Sequence, residues 1–187
     1  MKGFERFNLD TRSTLLMIID IQEKLCNAMD SEIVAKNIRN VSILLETANE
    51  LEVPVLATEQ YPAGLGRTLP ELKTRISSMP LEKMSFSCCG DQSIMTAIEE
   101  SGAQSIVVTG METHICVLQT VLDLLARGLH VHVVSDGVIS RRKSNWRTGL
   151  NIAANAGAVI TSTETVLFQL LRKAGTDEFR KLSRLVR

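Results

Sequence analysis

The chain has 187 residues, 44% of them hydrophobic, with 21 basic side chains balancing 21 acidic ones. That length suits a single domain able to bury its core without disulfide or metal support, and the balanced charge gives no electrostatic case for binding nucleic acid or an anionic membrane. The first residues carry no apolar signal run and the apolar stretch 15–19 is far too short to span a bilayer, so a cytoplasmic protein is expected.

Short β-branched runs alternate with longer stretches of helical period, the pattern of βα units that feed a parallel sheet. Residues 15–20 predict the first strand, ending at Asp20. Asp30 or Ser31 caps a helix in which Val34, Ile38, Val41, Leu45 and Ala48 recur at three- and four-residue spacing and share one face. Residues 53–58 predict the second strand, with Pro54 near its start, where a missing N–H is tolerated. From 59 to 70, Pro62, Gly64, Gly66 and Pro70 predict a loop at the carboxyl end of that strand, where open α/β sheets bind ligands. A weaker strand over 79–86 holds Lys83. Asp91 caps a helix running to Glu100, 105–109 predict a strand, and beyond Gly110 the stretch 114–127 predicts an amphipathic helix stopped by Gly128. Strands over 129–135 and 158–161, a helix over 144–156 between them and closing helices near 164–173 and 177–186 complete the chain. The expected fold is one three-layer α/β/α domain over 1–187, a doubly wound, mostly parallel sheet of about six strands.

No G-x-G-x-x-G follows the first strand and no G-x-x-x-x-G-K-[ST] occurs, so dinucleotide and P-loop nucleotide binding lose their main support and no cofactor is expected. Cys26, Cys88, Cys89 and Cys116 lack any C-x-x-C spacing, which argues against a disulfide framework and a zinc cluster; reduced thiols are expected.

Polar residues that end apolar strands of a parallel sheet converge on one rim. Asp20 ends the first strand, Lys83 lies in the third, and Cys116 follows the fourth at the head of a helical pattern. Each has a plainer reading: Asp20 as a turn former, Lys83 as an edge lysine reaching water, Cys116 as an inert core thiol. Together they suit nucleophilic chemistry. A helix N-terminus biases a thiol toward thiolate, an aspartate can take its proton, and a lysine balances the charge.

Asp20 in Ile18-Ile19-Asp20-Ile21-Gln22, the isolated Lys83, and Gly110-Met111-Glu112-Thr113-His114-Ile115-Cys116-Val117 resemble, in order and spacing, the Asp-Lys-Cys triad of the isochorismatase-like cysteine hydrolases. The similarity covers nearly the whole chain. It is closest to the isochorismatase domain-containing proteins, through Thr58-Glu59-Gln60-Tyr61-Pro62 with Gly64-Leu65-Gly66, through Cys116-Val117-Leu118-Gln119-Thr120, and through Leu167-Phe168-Gln169-Leu170-Leu171. The resemblance implies hydrolysis of a small amide or related carbonyl substrate through a thioester, with Cys116 as nucleophile, Asp20 as base and then acid, and Lys83 as charge partner. It also implies a cis peptide at Met111–Glu112, an oxyanion hole from the N–H groups of Glu112 and Cys116, and a homo-oligomer.

Departures narrow the reading. Nicotinamidases of this family hold a metal through Asp-x-His after the second strand, where this chain reads Thr58-Glu59-Gln60-Tyr61, so no metal is expected. True isochorismatases cleave a vinyl ether and need no cysteine nucleophile, so the retained Cys116 favours the thioester branch. Gln60, Tyr61 and Phe86 are candidate substrate-binding residues on the rim. His114, two residues before Cys116, points to a different helix face and is not its base; His130 and His132 share a strand face, either as a metal pair or as packed and solvated side chains. Cys88 and Cys89 are expected as small apolar residues, and Trp146 as a partly buried one. The competing functional readings are a catalytically silent interaction module and a thiol redox sensor.

Overall fold

The computed structural model describes residues 4–187; Met1, Lys2 and Gly3 of the expected 1–187 domain lie outside the described residues. Its centre is a six-stranded, all-parallel sheet of β1 (Thr14–Ile19), β2 (Val55–Gln60), β3 (Leu81–Lys83), β4 (Ser105–Met111), β5 (His130–Ile139) and β6 (Val159–Thr161). β1 and β4 are buried at every position, as their unbroken apolar runs require of strands covered on both faces. Alternate residues of β1 supply two cores. Leu15, Met17 and Ile19 pack on one face with Ile94, Val121 and Leu124, while Leu16 and Ile18 pack on the other with Val41, Leu44, Leu45 and Val166.

The covering helices are α1 (Glu23–Asn27), α2 (Ser31–Glu50), α3 (Pro62–Leu65), α4 (Pro70–Lys73), α5 (Gln92–Glu100), α6 (Leu118–Ala126), α7 (Lys143–Asn155), α8 (Thr163–Leu171) and α9 (Asp177–Leu182). Side-chain caps start the ones the sequence marks: Asp30 accepts from the N–H groups of Glu32 and Ile33, and Asp91 from that of Ser93. Among the described residues no helix is long and apolar enough to cross a membrane.

Strand order fixes where a ligand can sit. The sheet runs β3-β2-β1-β4-β5-β6, so the chain builds outward from β1 to β3 and then returns to lay β4 on the other side of β1. Connections leaving β1 and β4 diverge, which opens a crevice at their carboxyl ends, the switch point of a doubly wound sheet. Gly110 lets the two strands close there: its φ is +117°, and a Cβ would stand 2.0 Å from the Ile19 carbonyl oxygen.

Several expected boundaries move for tertiary reasons. The loop expected over 59–70 is shorter, because β2 continues through Gln60, whose N–H donates to Gln22 Oε1, and Tyr61 N–H donates to the Lys83 carbonyl. Pro62 then opens α3, where its missing N–H costs nothing. Only Leu81–Lys83 of the expected 79–86 strand pairs with β2. The helix expected over 114–127 begins as a π turn, Thr113–Val117, with Val117 N–H donating to the Glu112 carbonyl, and becomes α6 only at Leu118. β5 reaches Ile139 through a register shift opposite Val108 and Gly110.

His132 on β5 is fully buried, and neither ring nitrogen has a hydrogen-bond partner. At 0% exposure its ring is packed within the interior. Burial, opposed by the Arg6 backbone and joined by His130, holds the His132 imidazole down at about 4, below its ordinary value of 6.5. The unfolded chain therefore takes up this proton first as pH falls. Stability is unaffected by this group above about pH 6.5 and declines from there to about pH 4, by a total of roughly 3 kcal/mol. Urea unfolding at pH 7.5, 6 and 5 should show a steeper acid loss for the wild type than for His132→Leu; equal losses would exclude His132 as the cause.

Candidate active site

Three strand ends bring the charged residues together. In β1, Ile19 lies in register with Thr58 of β2 and Gly110 of β4, so Asp20 emerges at the switch point. Its φ of +52° turns the chain sharply out of the strand, a left-handed conformation that aspartate tolerates better than most residues. Lys83, at the end of edge strand β3, pairs in register with Gln60 and reaches across β2. Its ammonium lies 2.7 Å from Asp20 Oδ2, with both side chains at 0% exposure.

This pair is closely surrounded by polar groups. Lys83 Nζ also donates to Gln60 Oε1 at 2.7 Å, to the Phe86 carbonyl at 3.1 Å and to the Ser85 carbonyl at 3.2 Å. Thr58 Oγ1 donates to Asp20 Oδ1 at 2.8 Å. Desolvating two charges is expensive, and their attraction offsets it only when the remaining polar sites are bonded, as here. Losing one partner of such a pair typically costs about 3–5 kcal/mol.

Cys116 sits in the π turn after β4, only 6% exposed. The turn is clamped from two sides. Thr120 Oγ1 donates to the Cys116 carbonyl at 2.7 Å, and α7 crosses so closely at Gly149 that a Cβ there would lie 2.8 Å from the Thr113 carbonyl oxygen. The thiol is pushed well above its ordinary range, first by burial and then by the Asp20 carboxylate, with Lys83 opposing. This direction is opposite to the one expected of a helix N-terminus alone, because burial and the Asp20 carboxylate both favour the protonated form of the thiol.

The peptide Met111–Glu112 is cis. Glu112 N–H is donor to no protein acceptor among the described residues, while its side chain accepts from the N–H and Nε of Arg141 at 2.9 and 3.0 Å. His114 is spoken for elsewhere: Nδ1 lies 3.1 Å from Ser140 Oγ and Nε2 3.1 Å from Asn145 Nδ2.

Of the expected substrate residues, Gln60 is drawn into the structure itself. Its side-chain amide is used at both ends, Oε1 by Lys83 and Nε2 by the Met84 carbonyl, so it holds the lysine in place. Tyr61 and Phe86 remain exposed on the rim. Residues that single-residue reasoning passed over include Gln22, Thr58 and Cys88. Buried Gln22 holds the rim loop by donating to the carbonyls of Gln60 and Gly66. Cys88 Sγ lies 3.9 Å from Thr58 Oγ1, and burial, then Asp20, pushes its thiol up to about 12. The signal for Gln22 and Thr58 was a polar residue beside an apolar strand end.

Comparison with known proteins agrees with this architecture. The family model of the isochorismatase domain matches residues 14–165. Isochorismatase domain-containing protein 2A of Mus musculus is 36% identical over 182 residues, covering 94% of this chain and 83% of its own. Among solved structures, a Caenorhabditis elegans protein described as MAR1 ribonuclease superposes with a TM-score of 0.88 at 31% identity, over 96% of this chain and 92% of that one. The YcaC gene product of Escherichia coli, described as an octameric hydrolase of unknown specificity, shares the fold with a TM-score of 0.89 at 20% identity, over 99% and 92%.

The electrostatics make a testable split for Asp20→Asn. Removing the carboxylate charge lowers the thiol pKa, so alkylation of Cys116 by iodoacetamide at pH 7.5, read by peptide mass, should accelerate over the wild type. An unchanged or slower rate would show that Asp20 does not govern the thiol.

Proposed function

The chain belongs to the isochorismatase family, and we propose that within it this protein is a cysteine hydrolase that cleaves a small amide or related carbonyl substrate through a thioester on Cys116. The observation that carries this reading is the shared electrostatic environment. One buried carboxylate, Asp20, is bonded to Lys83 and at the same time acts on the Cys116 thiol. An acid–base group beside a nucleophile, both buried at a sheet switch point, is the arrangement that acyl transfer needs.

The steps follow from these positions. Asp20 takes the Sγ proton as sulfur attacks the carbonyl carbon, so thiolate forms only as it is consumed. The carbonyl oxygen becomes an oxyanion, and the N–H groups of Glu112 and Cys116 are its proposed donors. When the tetrahedral adduct collapses, the C–N bond breaks and Asp20 returns the proton to the leaving nitrogen, giving the amine and a thioester. Water then attacks the thioester, losing its proton to Asp20, and the carboxylic acid departs as the thiol is restored. Throughout, Lys83 balances a negative charge that moves between Asp20, sulfur and oxygen. Tyr61 and Phe86, exposed beside the crevice, are proposed to contact the substrate.

Two wider features belong to the same reading. A homo-oligomer is supported by apolar side chains exposed around β3 and its flanks, Met79, Met84 and Phe86. A cytoplasmic location is supported by four cysteines that remain free.

A panel of small amides assayed for ammonia release, with intact mass to trap an acyl-enzyme, tests the mechanism. Cys116→Ala should abolish turnover and the adduct, and Asp20→Asn should lower turnover by roughly 10²–10⁴; turnover that survives either change would refute the assignment. Lys83→Met should lose activity and roughly 3–5 kcal/mol of stability. Pairing it with Asp20→Leu should recover much of that stability and none of the activity, which separates the pair's structural burden from its chemistry.

A further inference from the structure

A second cleft opens beyond β5, apart from the residues assigned to catalysis. It holds about 390 Å³ between α2, the carboxyl end of β5 and the start of α7. This is within the range of small-molecule pockets. Its wall on α2 is formed by Ile33, Lys36, Asn37 and Asn40, which share one helix face at spacings of three and four.

Asn37 is the informative residue. It is 1% exposed, yet neither Oδ1 nor Nδ2 has a hydrogen-bond partner. A buried amide left unpaired opposes folding, so an asparagine at this point of an otherwise amphipathic helix is a poor choice for stability alone. The charges around it are unbalanced. Lys36 and Lys143 line the cleft and neither takes part in an ion pair among the described residues. Arg141 lines it too, with its Nε committed to Glu112. The acidic lining residue, Asp136, has Oδ1 occupied by the N–H and hydroxyl of Thr163. At the cleft edge α7 starts without a side-chain cap, leaving the positive end of its dipole uncompensated. Most of the remaining surface is apolar, with Ile33 on one side and Trp146 on the other, its indole fixed by Nε1–H donating to the Ser135 carbonyl.

We infer that this cleft is a binding site for a small organic anion, a carboxylate or phosphate carried on a flat apolar body, with Lys36 and Lys143 holding the charge and the Asn37 amide reading the polar edge. The site does not depend on the catalytic reading. It lies one side chain from it, through Arg141 and Glu112.

Trp146 is the one tryptophan of the chain and lines this cleft, so its fluorescence serves as the reporter, and the lysine substitutions tie the response to the cleft. Benzoate, phenyl phosphate and the neutral isostere benzamide are titrated against Cys116→Ala, in which no amide can be turned over, and benzoate also against the wild type. The inference expects a saturable change with at least one of the two anions, equal in both proteins where benzoate is the ligand, and about tenfold weaker binding of benzamide. Whichever anion binds more tightly identifies the headgroup. Lys36→Gln with Lys143→Gln should weaken binding about tenfold or more. Asn37→Leu should keep or raise the thermal midpoint while losing the response, and if that variant fails to fold the lysine pair alone decides. No saturable change, equal binding of benzamide and the anions, or indifference to the lysine substitutions would overturn the site. The catalytic reading fails separately, by absence of amide turnover in the wild type.

Discussion

The buried ion pair of Asp20 and Lys83 is the constraint around which the crevice is built. Two opposite charges without solvent are tolerable only when every remaining polar site is bonded, and meeting that demand shapes much of the rim. Thr58 occupies one carboxylate oxygen, and Gln60 and the carbonyls of Ser85 and Phe86 surround the ammonium. Gln60 must then be held still, which Met84 and Gln22 accomplish, and Gln22 in turn pins the loop at Gly66. A short edge strand of three residues is thus anchored less by its ladder than by the charge at its end.

The carboxylate of the same pair also acts on Cys116. The thiol is enclosed by core residues and faces a carboxylate, both of which favour the protonated form. In the proposed mechanism proton transfer to Asp20 accompanies attack of the sulfur on the carbonyl. Irregular backbone makes room for this. The π turn carries Cys116, Gly110 allows β1 and β4 to meet, and Gly149 lets α7 press onto the turn.

The second cleft shows the complementary pattern. There a polar group is buried without the partners that the ion pair enjoys, and Lys36 and Lys143 stand nearby outside any ion pair among the described residues. One edge of the sheet is electrostatically complete within the chain and the next is not. Arg141 spans the two, its side chain on Glu112 and its surface on the cleft.

Much of this was legible in the sequence, because it rests on local pattern. The apolar runs ending at Asp20 and before Gly110 predict strands, the spacing of Val34, Val41, Leu45 and Ala48 predicts a helix face, and Asp30 and Asp91 mark helix starts through side chains only two or three residues from their partners. Alternation of such units implies a parallel sheet whose strand ends share a rim. What required the tertiary structure was everything set by partners far apart in the chain. β2 runs on to Gln60 because of Gln22, Gln60 holds Lys83, and the direction in which the Cys116 thiol is shifted follows from a carboxylate 96 positions earlier together with burial, neither of which leaves a local trace. Periodicity and capping are short-range properties of a chain, whereas desolvation and charge pairing belong to the packed interior.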